Sequence, residues 1–149
     1  MRFAWLLIAV VGCRAASLGP QPAEIDSLYP GMEALYIDIH RHPELAFEEK
    51  QTAAKLAARV QTLGYEVTTG VGGTGLVGLL KNGDGPVVML RTELDALPIT
   101  EQTGLPFSSE IAGVMHACGH DLHMAAWAGT AQWMSFDFLA QPTHRRKSE

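Results

Sequence analysis

The chain has 149 residues, 47% of them hydrophobic and 18% charged, with a formal net charge of −5. That length suits about one domain with one buried core, and no internal repeat or low-complexity stretch divides it. An acidic balance whose only basic run is His144-Arg145-Arg146-Lys147 argues against nucleic acid, and no segment reaches the roughly 20 apolar residues of a membrane-spanning helix.

Met1-Arg2 precedes a continuous apolar run over residues 3–11, and the small residues Gly12-Cys13-Arg14-Ala15-Ala16-Ser17 follow. This pattern reads as an export signal over residues 1–16, which places the mature protein in the periplasm or outside the cell. Cleavage near Ala15 or Ala16 is the simpler outcome, although Val10-Val11-Gly12-Cys13 also resembles a lipoprotein box in which Cys13 carries the lipid. Either outcome leaves Cys118 as the only free thiol in an oxidising setting, where burial or metal ligation protects a lone thiol. Loss of Arg2 and Arg14 leaves nine basic against sixteen acidic residues, a balance of minus seven.

Residues 23–41 are helix-like, with a break expected at Pro30-Gly31. Residues 48–63 form a clearer helix: Ala53, Leu56, Ala57, Val60 and Leu63 follow the helical period, Glu48 and Glu49 favour its positive end, and Gly64 stops it. Strands are expected at residues 76–80 and 86–90. Lys81-Asn82-Gly83-Asp84-Gly85 joins them as a hairpin turn. The apolar Val87-Val88-Met89-Leu90 suits a strand covered on both faces, and the order of elements suggests an α/β layer arrangement.

Charge returns at Arg91-Thr92-Glu93-Leu94-Asp95, the carboxyl end of the second strand, where open α/β sheets place their crevices. Glu93 and Asp95 are two apart, so extended backbone turns both carboxylates to one side, where they could hold a ligand imidazole in one tautomer. The plainer reading is a solvated loop in which Arg91 pairs with a carboxylate.

The densest chemistry lies in Met115-His116-Ala117-Cys118-Gly119-His120-Asp121-Leu122-His123. A thiolate, three imidazoles and a carboxylate form a ligand set for zinc, cobalt, nickel or manganese. In extended backbone, Cys118 and His120 would reach the same ion across Gly119. Asp121 reads as the N-cap of an apolar helix over residues 122–134, buried all round by its composition, whose free backbone donors suit an anionic group. The plainer alternative is ordinary surface or core histidines with Cys118 as a small buried side chain.

Three stretches taken together, Leu35-Tyr36-Ile37-Asp38-Ile39-His40-Arg41-His42-Pro43-Glu44-Leu45, Arg91 to Pro98, and Gly113 to Asp121, carry a family resemblance. From about Leu28 to Ala131 the chain resembles the N-terminal part of an M20-type metal-dependent amidohydrolase, in the subgroup of hippurate and indole-acetyl-amino-acid hydrolases. The resemblance implies an α/β fold: an incomplete zinc-aminopeptidase-like α/β/α sandwich over residues 22–134, with the lid and dimerisation domain missing and the oligomeric state left open. It implies hydrolysis of small N-acyl-amino acids with divalent zinc, manganese, cobalt or nickel. By motif, Cys118 and His120 become metal ligands and Asp95 the catalytic-site aspartate that supports the metal. Glu93, His116, Asp121 and His123 become supporting groups or substitute ligands, while His40, His42 and Glu44 read mainly as architecture.

The chain departs from the family at its end. Gln141-Pro142 resembles the start of a Gln-Pro-Ala-Glu-Glu motif, yet the two glutamates, which are the family's general base and one of its metal ligands, do not follow. No general base is found. Residues 135–149 read as a divergent or frame-disrupted tail, from a truncated coding sequence or an incomplete gene model. Three outcomes follow: an amidohydrolase by descent, inactive on its own; a non-catalytic exported metal-binding or interaction fragment; or a nonfunctional remnant whose Trp127, Trp133 and Phe138 lack packing partners.

Overall fold

The computed structural model describes residues 19–140 apart from Asn82, with side chains as far as Phe136. The expected export segment, Cys13 and Gln141-Pro142 lie outside the described residues. The order of elements is α1 (Pro22–Arg41), α2 (Lys50–Thr62), β1 (Glu66–Val71), β2 (Gly75–Leu79) and α3 (His120–Ala140).

Pro22 opens α1 where a missing N–H costs nothing, and the Glu24 carboxylate accepts the Gln21 backbone N–H at 2.6 Å. The expected break at Pro30-Gly31 is not seen, because α1 continues through Pro30. Leu28, Leu35 and Ile39 are buried on either side of that proline. Burial of this face, chiefly against α3, offsets the lost backbone hydrogen bond.

Helix α2 buries Ala53, Leu56, Ala57 and Val60, as their spacing predicts, and ends before Gly64, whose φ is +88°. Its first turn is capped from a distance: the Glu44 carboxylate accepts the backbone N–H groups of Gln51 at 3.1 Å and Thr52 at 2.7 Å. The expected end charge, Glu49, is buried and accepts the Thr74 hydroxyl at 2.5 Å.

The expected hairpin is corrected. β2 pairs antiparallel with β1, not with residues 86–90, through a turn at residues 72–74 and an irregularity between Thr69 and Val71. Gly70, Gly72 and Gly73 all have positive φ, which suits the irregularity and the tight turn. Residues 86–90 form no strand, and Val87, Val88 and Met89 are more than four-fifths exposed. An apolar run pairs only where a neighbouring strand stands beside it, and among the described residues none does.

Helix α3 also differs from its composition. Met124, Ala125, Ala128 and Ala131 are buried, whereas Leu122 and Met134 are exposed, so one stripe packs inward and the helix is not buried all round. Leu35, Ile39, Leu56, Met124 and Ala128 form the core, with Leu76, Leu94 and Trp127 packed against it. Gly129 lets α1 and α3 cross closely, since a Cβ there would overlap the Met32 side chain.

Candidate functional site

Backbone pairing brings the three sequence stretches together. Leu45 bridges Ala96 in parallel, and the Ala96 N–H donates to the Glu44 carbonyl at 2.8 Å. One residue on, Leu97 exchanges N–H to O bonds with Met115 at 2.9 and 3.0 Å. The segment carrying Asp95 is therefore held between the other two, and the chain then turns into α3 at His120.

This arrangement places Asp95 against His120. The His120 Nδ1 lies 2.9 Å from the Asp95 carbonyl and 3.1 Å from its Oδ1. Both neighbours are acceptors, so the neutral ring would carry its proton on Nδ1 and leave the Nε2 lone pair open, the form in which imidazole binds a metal. Of the two carboxylates, Asp95 is the one beside His120, and the hydrogen bond itself goes to the Asp95 backbone carbonyl. Glu93 is instead engaged by Arg91 at 2.9 Å, the loop pairing weighed as its plainer reading.

Cys118 is exposed and free. The route expected to align it with His120 is corrected: residues 117–118 form a turn and Gly119 has φ +80°, so the two side chains do not alternate along extended backbone. Among the described residues, no three His, Cys, Asp or Glu side chains converge closely enough to hold a metal. Cys118 and His120 are donors of the right chemical type, a soft sulfur and a borderline imidazole nitrogen, and the described residues add no third.

The supporting residues separate. His123 is exposed, its ring centroid 6.4 Å from that of His120. His116 is buried with no hydrogen-bond partner on either nitrogen, and burial first of all pushes its pKa down, toward the neutral ring. Asp121 is no simple N-cap. It lies inside the first turn of α3, and its Oδ2 sits 2.6 Å from Nδ1 of His40.

Sequence reasoning left His40 among the architecture. The structure joins it to the turn that carries His120, and the opposite ring nitrogen lies 3.3 Å from Glu101, a residue that no motif marked. All three side chains are almost wholly buried. Burial lowers the His40 pKa, but hydrogen bonds and charge from Asp121 and Glu101 outweigh it and the net direction is upward. Burial would likewise raise Glu101. The Ser109 backbone N–H, the Thr103 hydroxyl and His40 overcome it and hold the carboxyl at about 2. The only sequence sign was the His40-Arg41-His42-Pro43-Glu44 motif itself. His42 stays at the surface beside Asp38, and Glu44 caps α2.

The profile of peptidase family M20/M25/M40 matches residues 89–137. The hippurate hydrolase of Campylobacter jejuni is 42% identical over 113 residues, covering 75% of this chain and 30% of that enzyme. The chain belongs to the M20 family. The N-acetylcysteine deacetylase of Bacillus subtilis is 44% identical over 100 residues, covering 66% of this chain and 26% of the relative. A solved Bacillus subtilis structure, described as a dinuclear metal-binding peptidase from the M20 family, superposes with a TM-score of 0.72 at 38% identity. That match covers 76% of this chain and 32% of the solved one, and it supports the mixed α/β fold of an M20 catalytic domain, present here in part. This M20 chain spans about a third or less of the length of these relatives.

Proposed function

We propose that this chain supplies part of the active site of a metal-dependent amidohydrolase acting on small N-acyl-amino acids. The observation that carries the reading is the His120 ring, held by Asp95 with Nε2 free, two residues from an exposed Cys118. The names of two relatives, a hippurate hydrolase and an N-acetylcysteine deacetylase, support the substrate class.

In this reading Cys118 and His120 would hold a divalent ion, and Asp95 would fix the His120 tautomer and raise its basicity. The chemistry such an ion would supply is polarisation of the scissile carbonyl and a lowered pKa for water. The two glutamates that the resemblance assigns as general base and further ligand do not follow Gln141-Pro142 in this sequence. The chain by itself is therefore expected to bind metal weakly and to turn over no substrate. Export through residues 1–16 remains part of the proposal, resting on the charge and apolar pattern of that segment alone.

The test has two arms. Elemental mass spectrometry on the purified chain and on Cys118→Ala/His120→Ala reads metal uptake directly. A chimera in which residues 28–131 replace the matching part of the N-acetylcysteine deacetylase is assayed on N-acetyl and N-benzoyl amino acids. Turnover in the chimera, abolished by the double substitution, supports the reading. A folded chimera without turnover overturns it.

A further inference from the structure

His120 is the first residue of α3, and the backbone that leads into it passes through Gly119 at φ +80°, a permissive approach that does little to orient the turn. Asp95 tethers His120 on one side. Beyond His120, Met124 and Ala125 are buried and pack this end of α3 against the core. Asp121, the next residue, projects about 100° further around the helix, and its carboxylate is gripped by His40 at 2.6 Å. With that packing, two polar tethers at different azimuths set the orientation of the side chains that the turn presents.

The grip is itself made rigid. The His40 ring meets Phe107 edge-on with centroids 5.6 Å apart and lies 5.6 Å from Tyr36. Its second nitrogen faces Glu101, whose other oxygen accepts the Ser109 N–H at 2.6 Å. Both ring nitrogens thus face acceptors and neither is left to rotate toward another partner. This chain of contacts runs from the end of α1 through the loop at residues 101–109 to the start of α3.

We propose that His40 is a positioning residue for His120: by holding Asp121 it sets the first turn of α3 so that the His120 Nε2 is presented to a divalent cation. The inference rests on the metal-binding reading above. A purely structural His40 would contribute stability yet leave the His120 ring unchanged once the chain is folded. A positioning His40 controls the ring itself.

The experiment uses the full 149-residue chain. Nitrogen-proton correlation spectra of the His120 ring report its tautomer, and cobalt titration of the same samples reports affinity, for wild type, His40→Gln and Glu101→Gln. Leu56→Ala serves as a control that weakens the core and touches neither tether. Wild type is expected to show one Nδ1–H tautomer. His40→Gln is expected to give a tautomer mixture and a cobalt affinity lower by about 10–100-fold, the usual range for partners behind a metal ligand. Glu101→Gln, which retains the Asp121 contact, is expected to move both quantities less, and it carries the test if His40→Gln does not fold. Leu56→Ala is expected to match wild type in both.

The proposal is overturned if His40→Gln, or Glu101→Gln standing in for it, folds with the wild-type tautomer and affinity. It is overturned too if Leu56→Ala disturbs the ring as much. A wild-type chain that shows the single tautomer but takes up no cobalt sinks the metal-binding reading instead. Loss of that tautomer in His40→Gln would then still support the positioning role.

Discussion

Two regions of this molecule treat their surfaces in opposite ways. Where α1, α2 and α3 meet, Leu35, Ile39, Leu56, Met124 and Ala128 cover one another and the buried carboxylates Asp121 and Glu101 find His40, so the core of this region is largely self-supplied. Along β1, β2 and residues 86–90, Val71, Val77, Leu79, Val87, Val88, Met89 and Leu90 are all exposed. A helix satisfies its backbone internally and needs only a packed stripe, whereas a strand needs a neighbour for every edge and a layer for every face. The described residues supply the helical requirement and not the strand requirement.

The comparison can be broken most sharply at His40. His40→Ala leaves the buried Asp121 and Glu101 carboxylates without the ring they share, and the expected cost is about 3–5 kcal/mol of unfolding free energy. Urea denaturation measures it, and a cost below about 1 kcal/mol would mean that water reaches the site. Leu56→Ala, at a position only 1% exposed, is expected to cost about 2–5 kcal/mol by the same method. A small effect there would show that the helical region is looser than its contacts imply.

Acid titration sharpens the contrast further. The Glu101 carboxyl is held at about 2 in the folded state, below its ordinary 4.5, so its contribution is present above pH 4.5 and is lost as pH falls toward 2. The urea midpoint should drop across that window in wild type and drop less in Glu101→Gln. Equal slopes would remove Glu101 from the account.

On the other side of the comparison, Trp127→Phe removes the indole N–H that donates to the Leu90 carbonyl at 3.2 Å. The expected loss is about 0.5–1.5 kcal/mol, with the apolar segment released from α3. Smallest of all, Val88→Ser is expected to change stability by no more than about 0.5 kcal/mol, since that side chain is 85% exposed. Light scattering should nonetheless show slower self-association, because an exposed apolar stretch is what such chains associate through. Unchanged association would indicate that the segment is covered in solution.

Much of the helical region was legible in advance. The period of Ala53, Leu56, Ala57 and Val60, with Gly64 beyond, marked α2 and its buried face. The strands were harder to read. Residues 86–90 carried the stronger β signal, yet β1, with Thr68, Thr69 and Gly70 in place of an apolar run, became the partner of β2. Pairing depends on which segment lies within hydrogen-bond reach, and local propensity does not report that.

The candidate site divides in the same way. Residue type and close spacing marked Glu93, Asp95 and the cluster from His116 to His123, because metal and carboxylate chemistry is written in side-chain identity, and the family resemblance selected Asp95, Cys118 and His120 from among them. Only the tertiary structure decided that Asp95, and not Glu93, meets His120, and that His40 reaches Asp121 across 81 residues and Glu101 across 61. Contacts over such separations leave no period or spacing in the chain, since they arise from how the elements pack once each has formed.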